Sequence, residues 1–345
     1  MSRPTIVILN GTCLDVVDRN REWLGRFDAH FVIDQDARRL GPAQVDEYLR
    51  DADALILPAA IRTLPHREHM ERYGRMRVLS IAASGYDWLD VAAATELGIV
   101  VTYSPVREGA EVVADMAWGL MLAAARQIPH HDRLMQMGDS TRGMGTCLWR
   151  KTLGIVGLGN IGRAVARRAA GFEMKVVAVE PQPDMAFVRE HGIELISLEE
   201  LLRQSDVVTL HVRLDERTAG MIGPRQLAMM KPTAILVNTA RDKLIDEPAL
   251  TEAILNDRLG GAGLDDPPAD PHSPLLGLAN VVFTPHLGNR AIEGVEAVFR
   301  SAIENAAAAL GGQRVPLTVN PQVYSGLAYA RRFDPSVEND ERSHR

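Results

Sequence analysis

The sequence predicts an α/β fold made of two doubly wound parallel-sheet domains. Short apolar runs of strand length recur along the chain and alternate with amphipathic segments, which is typical of parallel β-α units. A glycine-rich turn at residues 157–162 opens a second such unit in mid-chain, so a complete unit precedes it. The length of 345 residues is sufficient for two domains, each with its own core.

The strands are expected where the apolar runs occur. In chain order these runs are Ile6–Leu9, Ala54–Leu57, Val78–Ala82, Leu153–Val156, Val176–Val179, Val207–Leu210, Ile235–Val237 and Val281–Phe283. Because amphipathic segments alternate with these runs, we expect parallel strands joined by helical crossovers.

Two helical segments are expected to connect the domains. Residues 109–137 predict one or two long helices with a break or kink at Pro129, and a helix over 291–310 returns to the first domain. The last residues are mostly charged and polar, which favours a flexible tail. We therefore assign residues 1–108 and 290–330 to a first domain, 109–289 to a second, and 331–345 to the tail.

Composition and charge exclude several function classes. The formal net charge of −7, without a long basic run, argues against nucleic acid as a partner. The most apolar run, Met116–Ala125, is too short to span a bilayer, and it fits either a subunit interface or burial within the chain. Cys13 and Cys147 lie far apart without a Cys/His cluster, so we expect free thiols, no bound metal and a cytoplasmic protein.

The mid-chain glycines form a dinucleotide-binding motif. An apolar strand ending at Val156 leads into Gly157-x-Gly159-x-x-Gly162. Gly157 allows a tight turn, Gly159 lets the backbone approach a pyrophosphate, and Gly162 lets helix and strand pack closely. The following helix offers unpaired N–H groups and a partial positive charge to phosphates. The second domain is therefore predicted to be a Rossmann domain.

An acidic residue selects the form of the dinucleotide. Glu180 ends the next apolar strand, 18 positions after Gly162. A carboxylate there accepts hydrogen bonds from a ribose diol and repels a 2′-phosphate, and no arginine follows in Pro181-Gln182. We therefore expect NAD(H) rather than NADP(H) as the cofactor. The alternative is that Glu180 is a solvated strand end.

Charged side chains follow three later strands of the second domain. Arg241 follows the strand at 235–237, Asp265 and Asp270 follow Gly263-Leu264, and His286 follows the strand at 281–283. Ligands of doubly wound sheets bind at the carboxyl ends of the strands, so these side chains are expected to converge on the edge that holds the nicotinamide.

With these motifs the chain resembles the D-isomer-specific 2-hydroxyacid dehydrogenase family, which includes NAD-dependent phosphoglycerate, glycerate and formate dehydrogenases. The resemblance covers residues 50–320. The segments that carry it are Gly85-Tyr-Asp-Trp-Leu-Asp90, Val113-Ala-Asp115, Gly157-Leu-Gly-Asn-Ile-Gly162, Met230-Lys-Pro, Asn238-Thr-Ala-Arg241, Leu264-Asp265 and Thr284-Pro-His-Leu-Gly288.

The resemblance implies a role for each catalytic residue. Arg241 would hold the substrate carboxylate with its charged fork, and backbone N–H groups of Ser84 and Gly85 would complete that site. His286 would exchange a proton with the keto or hydroxyl oxygen, because imidazole titrates near neutral pH. Asp270, at the position of the family's usual glutamate, would orient His286 and favour its charged form.

The resemblance also implies the surroundings of the site. The first domain would be a flavodoxin-like substrate domain, the active site would lie in the cleft between the domains, and the protein would be a homodimer built on its nucleotide domains. Asp265 would contact the nicotinamide carboxamide. The full set expected to bind the cofactor is Gly157, Gly159, Asn160, Ile161, Gly162, Glu180, Thr239, Ala240, Arg241, Asp265, His286 and Gly288.

Several departures from the family pattern leave alternatives open. Asp270 is one methylene shorter than glutamate, and it could instead be a solvated loop carboxylate. Asp242 stands where a glycine usually follows the arginine. These changes suggest an unusual 2-hydroxy or 2-keto acid, and two other functions compete. One is oxidation of a small anion such as formate, phosphite or a phosphonate, and the other is an NAD(H)-sensing regulatory protein of the same fold.

Overall fold

The computed structural model describes residues 3–9, 14–34, 42–58 and 66–334. The chain divides into two compact units. Unit 1 comprises Met1–Gly109 and Ile292–Arg345, and unit 2 comprises Ala110–Ala291. Cys13, one of the two expected thiols, lies outside the described residues.

Unit 1 is built on a five-stranded parallel sheet. Its strands are β1 Thr5–Leu9, β2 His30–Asp34, β3 Ala54–Pro58, β4 Val78–Ala82 and β5 Val100–Tyr103. Their order is β2-β1-β3-β4-β5, the flavodoxin-like order. Strand β4 is buried along its whole length, as expected for a central parallel strand covered on both faces.

Seven helices accompany this sheet among the described residues. They are α1 Leu14–Arg19, α2 Arg21–Leu24, α3 Pro42–Arg50, α4 Arg67–Arg72, α5 Val91–Glu96, α13 Ile292–Leu310 and α14 Leu327–Phe333. The late helix α13 buries Phe299, Ala302 and Ile303 in the same apolar cluster as residues of β1, β3 and β4. The returning helix of the sequence analysis thus belongs to the core of unit 1.

The end of the described chain is a helix. Residues 331–333, which the sequence assigned to a flexible tail, are the last turn of α14. Arg332 anchors that turn because its guanidinium donates to the carbonyls of Gly74, at 2.9 Å, and Met76, at 2.6 Å. The hydrophobic periodicity of so short a helix is weak, and the carbonyls that Arg332 contacts are distant in sequence. The sequence therefore did not indicate a helix here. The remainder of the predicted tail, 335–345, lies outside the described residues.

Unit 2 contains a seven-stranded parallel sheet. Its strands are β6 Thr152–Val156, β7 Lys175–Val179, β8 Glu194–Leu195, β9 Val207–Leu210, β10 Ile235–Asn238, β11 Gly261–Leu264 and β12 Val281–Phe283. The order β12-β11-β10-β9-β6-β7-β8 is the doubly wound order of a Rossmann sheet with one further strand at its edge. The predicted fold class, two doubly wound parallel-sheet units, is confirmed.

The helices of unit 2 lie between these strands in the chain. They are α6 Arg107–Arg126, which begins in unit 1, α7 Ile128–Gln136, α8 Asn160–Ala169, α9 Met185–Glu190, α10 Leu198–Gln204, α11 Pro224–Leu227 and α12 Glu247–Leu255. No helix of the described residues is long and apolar enough to cross a membrane.

The long connecting segment forms two helices rather than one. The break is at Gln127, whose backbone is left-handed with φ 51°. Pro129 follows in the first turn of α7, where its missing N–H costs no helical hydrogen bond. The apolar run 116–125 is mostly buried within unit 2; Trp118, for example, stacks on Phe172 and donates to the carbonyl of Val165.

Candidate functional site

The glycine turn after β6 leaves room for a ligand at one position only. Gly157 has φ +93°, and a Cβ there would lie 2.6 Å from the carbonyl oxygen of His211. A Cβ on Gly162 would lie 2.1 Å from the carbonyl oxygen of Gly157. At Gly159, by contrast, a Cβ would meet no atom of the described residues within 4 Å. Two glycines are therefore required by packing, and the third borders open space.

The first turn of α8 faces that open space. Gly159 precedes the helix in an extended conformation and supplies no side-chain cap. The N–H groups at the start of a helix have no intrahelical partners, so those of Asn160 and Ile161 suit a phosphate. The turn thus has the shape and the donors that a dinucleotide pyrophosphate requires. The residues of unit 2 fit this cofactor.

Glu180 lies directly after β7 and against the same turn. Its Oε2 accepts a hydrogen bond from the N–H of Leu158 at 2.9 Å, and its Oε1 accepts from Gln182 at 3.0 Å. The carboxylate therefore helps to hold the glycine turn. Its proposed contact with a ribose diol stays a prediction.

Two buried polar atoms lie at the neighbouring strand ends. His211 follows β9 and Thr239 follows β10; among the described residues, neither Nδ1 of His211 nor Oγ1 of Thr239 has a hydrogen-bond partner. Burial lowers the pKa of His211 to about 3, so its ring is neutral, and its Nε2 lies 2.9 Å from Oγ1 of Thr209. Unsatisfied buried polar atoms at the carboxyl ends of these strands are expected where a polar ligand completes the site.

His211 was not among the residues predicted from the sequence. The available signal was its position directly after the strand that pairs with β6, at the edge that carries the glycine turn. Thr239, in contrast, belongs to the predicted cofactor set.

A buried amide shapes the turn that carries Arg241. Nδ2 of Asn238 donates to the carbonyl of Arg241 at 2.6 Å, and Oδ1 of Asn238 accepts from the N–H of Ala240 at 2.9 Å. The guanidinium of Arg241 also donates to the carbonyl of Ala240 at 2.7 Å. Asn238 is therefore a positioning residue that sequence reasoning did not single out, although it lies in one of the motifs that carry the family resemblance.

Asp265 fixes the segment that carries His286. Oδ1 of Asp265 accepts from Oγ1 of Thr284 at 2.6 Å and from the N–H of Leu287 at 2.7 Å, and Oδ2 accepts from Gly288 at 2.6 Å. The carboxylate is almost fully buried. Its structural role here is to hold the loop, and its contact with the nicotinamide carboxamide stays a prediction.

The carboxylate that faces His286 is Asp266. Nδ1 of His286 lies 2.8 Å from Oδ1 of Asp266, and both side chains are mostly buried. Asp270, which the resemblance implied as the partner, is exposed, and its Oδ1 accepts from the backbone N–H of His272 at 2.8 Å. The structure thus supports the solvated-loop alternative for Asp270, because this residue lies exposed in a local turn.

The remaining predicted site residues lie in unit 1. Ser84 and Gly85 follow β4, and the carbonyl of the preceding Ala83 accepts from the N–H of Ser104 at 2.9 Å. The side chain of Ser84 is exposed. These residues lie at the carboxyl end of a central strand, where a ligand is expected in a doubly wound sheet. No cluster of the described residues could hold a metal ion.

Comparison with known proteins places this architecture in a family. A glyoxylate reductase of Korarchaeum cryptofilum is 39% identical over 312 residues, which cover 87% of this chain and 93% of that protein. A family model described as D-isomer specific 2-hydroxyacid dehydrogenase, NAD binding domain, matches residues 118–288. The chain belongs to the D-isomer specific 2-hydroxyacid dehydrogenase family. The resemblance stated from the motifs is confirmed, and unit 2 is the family's NAD-binding domain.

Other members of the family are similar over different lengths. A D-3-phosphoglycerate dehydrogenase of Methanocaldococcus jannaschii is 38% identical over 79% of this chain, but the match covers 53% of that longer protein. The crystal structure of a glyoxylate reductase from Paecilomyes thermophila has a TM-score of 0.78 at 28% identity, and covers 93% of this chain and all of that one.

Proposed function

We propose that this protein is an NAD(H)-dependent oxidoreductase that interconverts a D-2-hydroxy acid and the corresponding 2-keto acid. The observation that carries the proposal is the arrangement at the strand ends of its NAD-binding domain. There the ring of His286 lies 2.8 Å from a carboxylate oxygen. The backbone carbonyl of Arg241 accepts a hydrogen bond from the buried side-chain amide of Asn238. Relatives named glyoxylate reductase support the same chemistry and make glyoxylate the first substrate to test.

Arg241 and His286 take the two roles that the reaction requires. Arg241 binds the substrate carboxylate, since a planar guanidinium forms two parallel hydrogen bonds with a carboxylate. His286 donates a proton to the keto oxygen during reduction and accepts it from the hydroxyl during oxidation. NADH, when bound, supplies the hydride that reaches the substrate carbon.

The substrate experiment is NADH consumption with glyoxylate, pyruvate, hydroxypyruvate, oxaloacetate and phenylpyruvate, with NADPH in parallel. We expect turnover of at least one acid, with NADH preferred, and in the reverse direction oxidation of the D-enantiomer of the product when that product is chiral. No turnover of any acid despite NADH binding would contradict the proposal and would favour a cofactor-sensing protein.

His286→Asn tests the proton donor. Asparagine tolerates the left-handed backbone of this position, where φ is 56°, and it removes the titrating ring. We expect kcat to fall by about 10²–10⁴-fold, the usual contribution of general acid catalysis, with NADH affinity retained. His272→Asn changes an exposed histidine and is the matched control. Equal turnover in the two variants would contradict the assignment.

A cytoplasmic homodimer is part of this proposal. Five large apolar side chains between positions 128 and 149 are exposed: Ile128, Met135, Met137, Met144 and Trp149. Such a concentration of exposed apolar surface supports an interface with a second copy, and the exposed free thiol of Cys147 suits a reducing compartment. Light scattering after gel filtration should give the mass of two chains. Met144→Asp should weaken the dimer, whereas Met185→Asp should not.

A further inference from the structure

The carboxylate in contact with His286 is not the one at the position that the family resemblance indicates. The family resemblance indicates Asp270, but the carboxylate that accepts the hydrogen bond from the ring belongs to Asp266, four positions earlier. We propose that Asp266 is the positioning residue of the acid–base histidine in this protein, holding the ring in the tautomer that reacts at Nε2. This inference rests on the proposed function, because it assigns a role within the same site.

The sheet brings Asp266 and His286 together. Strands β11 and β12 are parallel neighbours whose last residues, Leu264 and Phe283, are paired in register. Asp266 is the second residue after β11, and His286 is the third after β12. Residues just beyond the carboxyl ends of adjacent parallel strands lie at the same edge, about 5 Å apart across the strands. The register of the sheet therefore brings the segments that carry the two residues to the same edge.

The backbone of His286 is fixed independently of its ring. The three hydrogen bonds to Asp265 hold the residues on both sides of it, and its own N–H donates to the carbonyl of Thr284 at 3.0 Å. A left-handed φ of 56° is uncommon for a residue other than glycine, and this network stabilises it. This network does not fix the orientation of the ring or the nitrogen that carries its proton. The side chain that contacts the ring is Asp266.

The contact decides which ring nitrogen carries the proton. An ionised carboxylate can only accept hydrogen bonds, so the atom facing Oδ1 of Asp266 must be Nδ1–H. In the neutral ring, Nε2 is then the basic atom, and in the charged ring Nε2–H is the acid. Nε2 is therefore the atom that exchanges a proton with the substrate oxygen. Both side chains are mostly buried, at 28% and 18% exposed, so water competes weakly for the contact.

The position of Asp270 excludes it from this role in the described structure. Its carboxylate accepts from the N–H of His272, and its carbonyl accepts from the N–H of Ser273 at 2.9 Å, so the residue closes a local turn. Pro267 and Pro268 stand between the two aspartates and restrict the path of the chain. Asp270 is exposed.

The two aspartates form a matched pair for experiment. Asp266→Asn and Asp270→Asn each replace a carboxylate with an amide of the same shape. We expect Asp266→Asn to lower kcat by about 10–100-fold with little change in NADH affinity, because the amide can hold the wrong tautomer with its own N–H group. Asp270→Asn should leave kcat within about twofold of the wild type. A loss of kcat in Asp270→Asn alone would overturn the inference. An unchanged kcat in both variants would overturn it as well.

A spectroscopic measurement tests the same point without turnover. The nitrogen chemical shifts of the His286 ring, assigned with His286→Asn, report which nitrogen is protonated. In the wild-type protein the neutral ring should be the Nδ1–H tautomer, and this preference should be lost in Asp266→Asn and kept in Asp270→Asn. An Nε2–H tautomer in the wild type would overturn the inference, whether or not the variants fold.

The two experiments separate failure of the inference from failure of the proposed function. If no 2-keto acid is reduced by the wild type, the proposed function fails, and the ring tautomer still decides whether Asp266 orients His286. If the wild type is active and Asp266→Asn behaves as Asp270→Asn in both measurements, the function stands and the inference is wrong.

Discussion

Replacing Gly159 with alanine should weaken NADH binding without destabilising the fold. A Cβ at this position meets no described atom within 4 Å, and the extended backbone, with φ −71°, accepts any residue. A glycine-to-alanine change at such a site stabilises a protein by about 0.4–1 kcal/mol, since it restricts the unfolded chain. The methyl group would, however, occupy the space through which the backbone approaches the pyrophosphate. We expect the Kd for NADH to rise at least tenfold, or about 1.4 kcal/mol.

Thermal unfolding and fluorescence titration with NADH measure the two effects separately. Gly171→Ala is the matched control, because Gly171 is also exposed with nothing within 4 Å, and we expect unchanged NADH affinity there. Unchanged NADH affinity in Gly159→Ala would refute the reasoning, because it would show that the pyrophosphate does not approach this glycine.

Gly162→Ala should show the opposite behaviour. Its Cβ would lie 2.1 Å from the carbonyl oxygen of Gly157, far inside ordinary contact distance, and the obstacle is backbone that cannot rotate away. Overpacking of this kind costs about 1–3 kcal/mol, which lowers Tm by roughly 2–4 °C per kcal/mol in a domain of this size. A Tm equal to that of the wild type would show that the turn and α8 can separate at no cost.

Three further predictions concern the strand ends. Glu180→Gln keeps an acceptor for the glycine turn but removes the negative charge. We therefore expect the ratio of kcat/KM with NADH to kcat/KM with NADPH to fall about tenfold. An unchanged ratio would show that Glu180 does not select the cofactor. Burial lowers the pKa of His211 to about 3, below its unfolded value near 6.5, so the unfolded chain binds the extra proton and stability falls as pH drops from 6.5 toward 3. The free energy of unfolding of His211→Gln should fall less steeply in that window, by up to about 1.4 kcal/mol per pH unit, whereas exposed His272→Gln should follow the wild type. Asn238→Ala removes both hydrogen bonds that hold the turn before Arg241, and we expect KM for the keto acid to rise about tenfold with NADH affinity retained, which steady-state kinetics would check.

The strands of both units were predictable because buried parallel strands are continuous apolar runs. The runs at 6–9, 54–57 and 153–156 lie within β1, β3 and β6. β2, β5 and β8 were not in the predicted set, and of β11 only the last two residues, Gly263 and Leu264, were predicted. β2 is partly exposed, β8 has two residues, and β11 is Gly-Ala-Gly-Leu, whose glycines are required by close neighbours rather than by strand propensity.

The glycine motif and the acid after β7 were predictable because they combine local order with a fixed spacing. The turn, the helix and Glu180 follow from a short stretch of chain, and the structure places Glu180 against the turn. The same holds for Arg241 and His286, since each comes three residues after the end of its strand. Parallel strands end at one edge, so sequence order already indicates which residues share it.

The sequence by itself therefore determined the fold class, the family, the dinucleotide motif and the two residues proposed to meet the substrate. Only the tertiary structure decided which carboxylate faces His286. Asp265, Asp266 and Asp270 are chemically identical and lie within six residues, so composition and spacing cannot rank them. The folded chain brings the ends of β11 and β12 to one edge, where Asp266 contacts the ring and Asp265 is buried under the loop, whereas Asp270 lies in a local turn. Such contacts join residues about 20 positions apart, and they exist only once the sheet has formed.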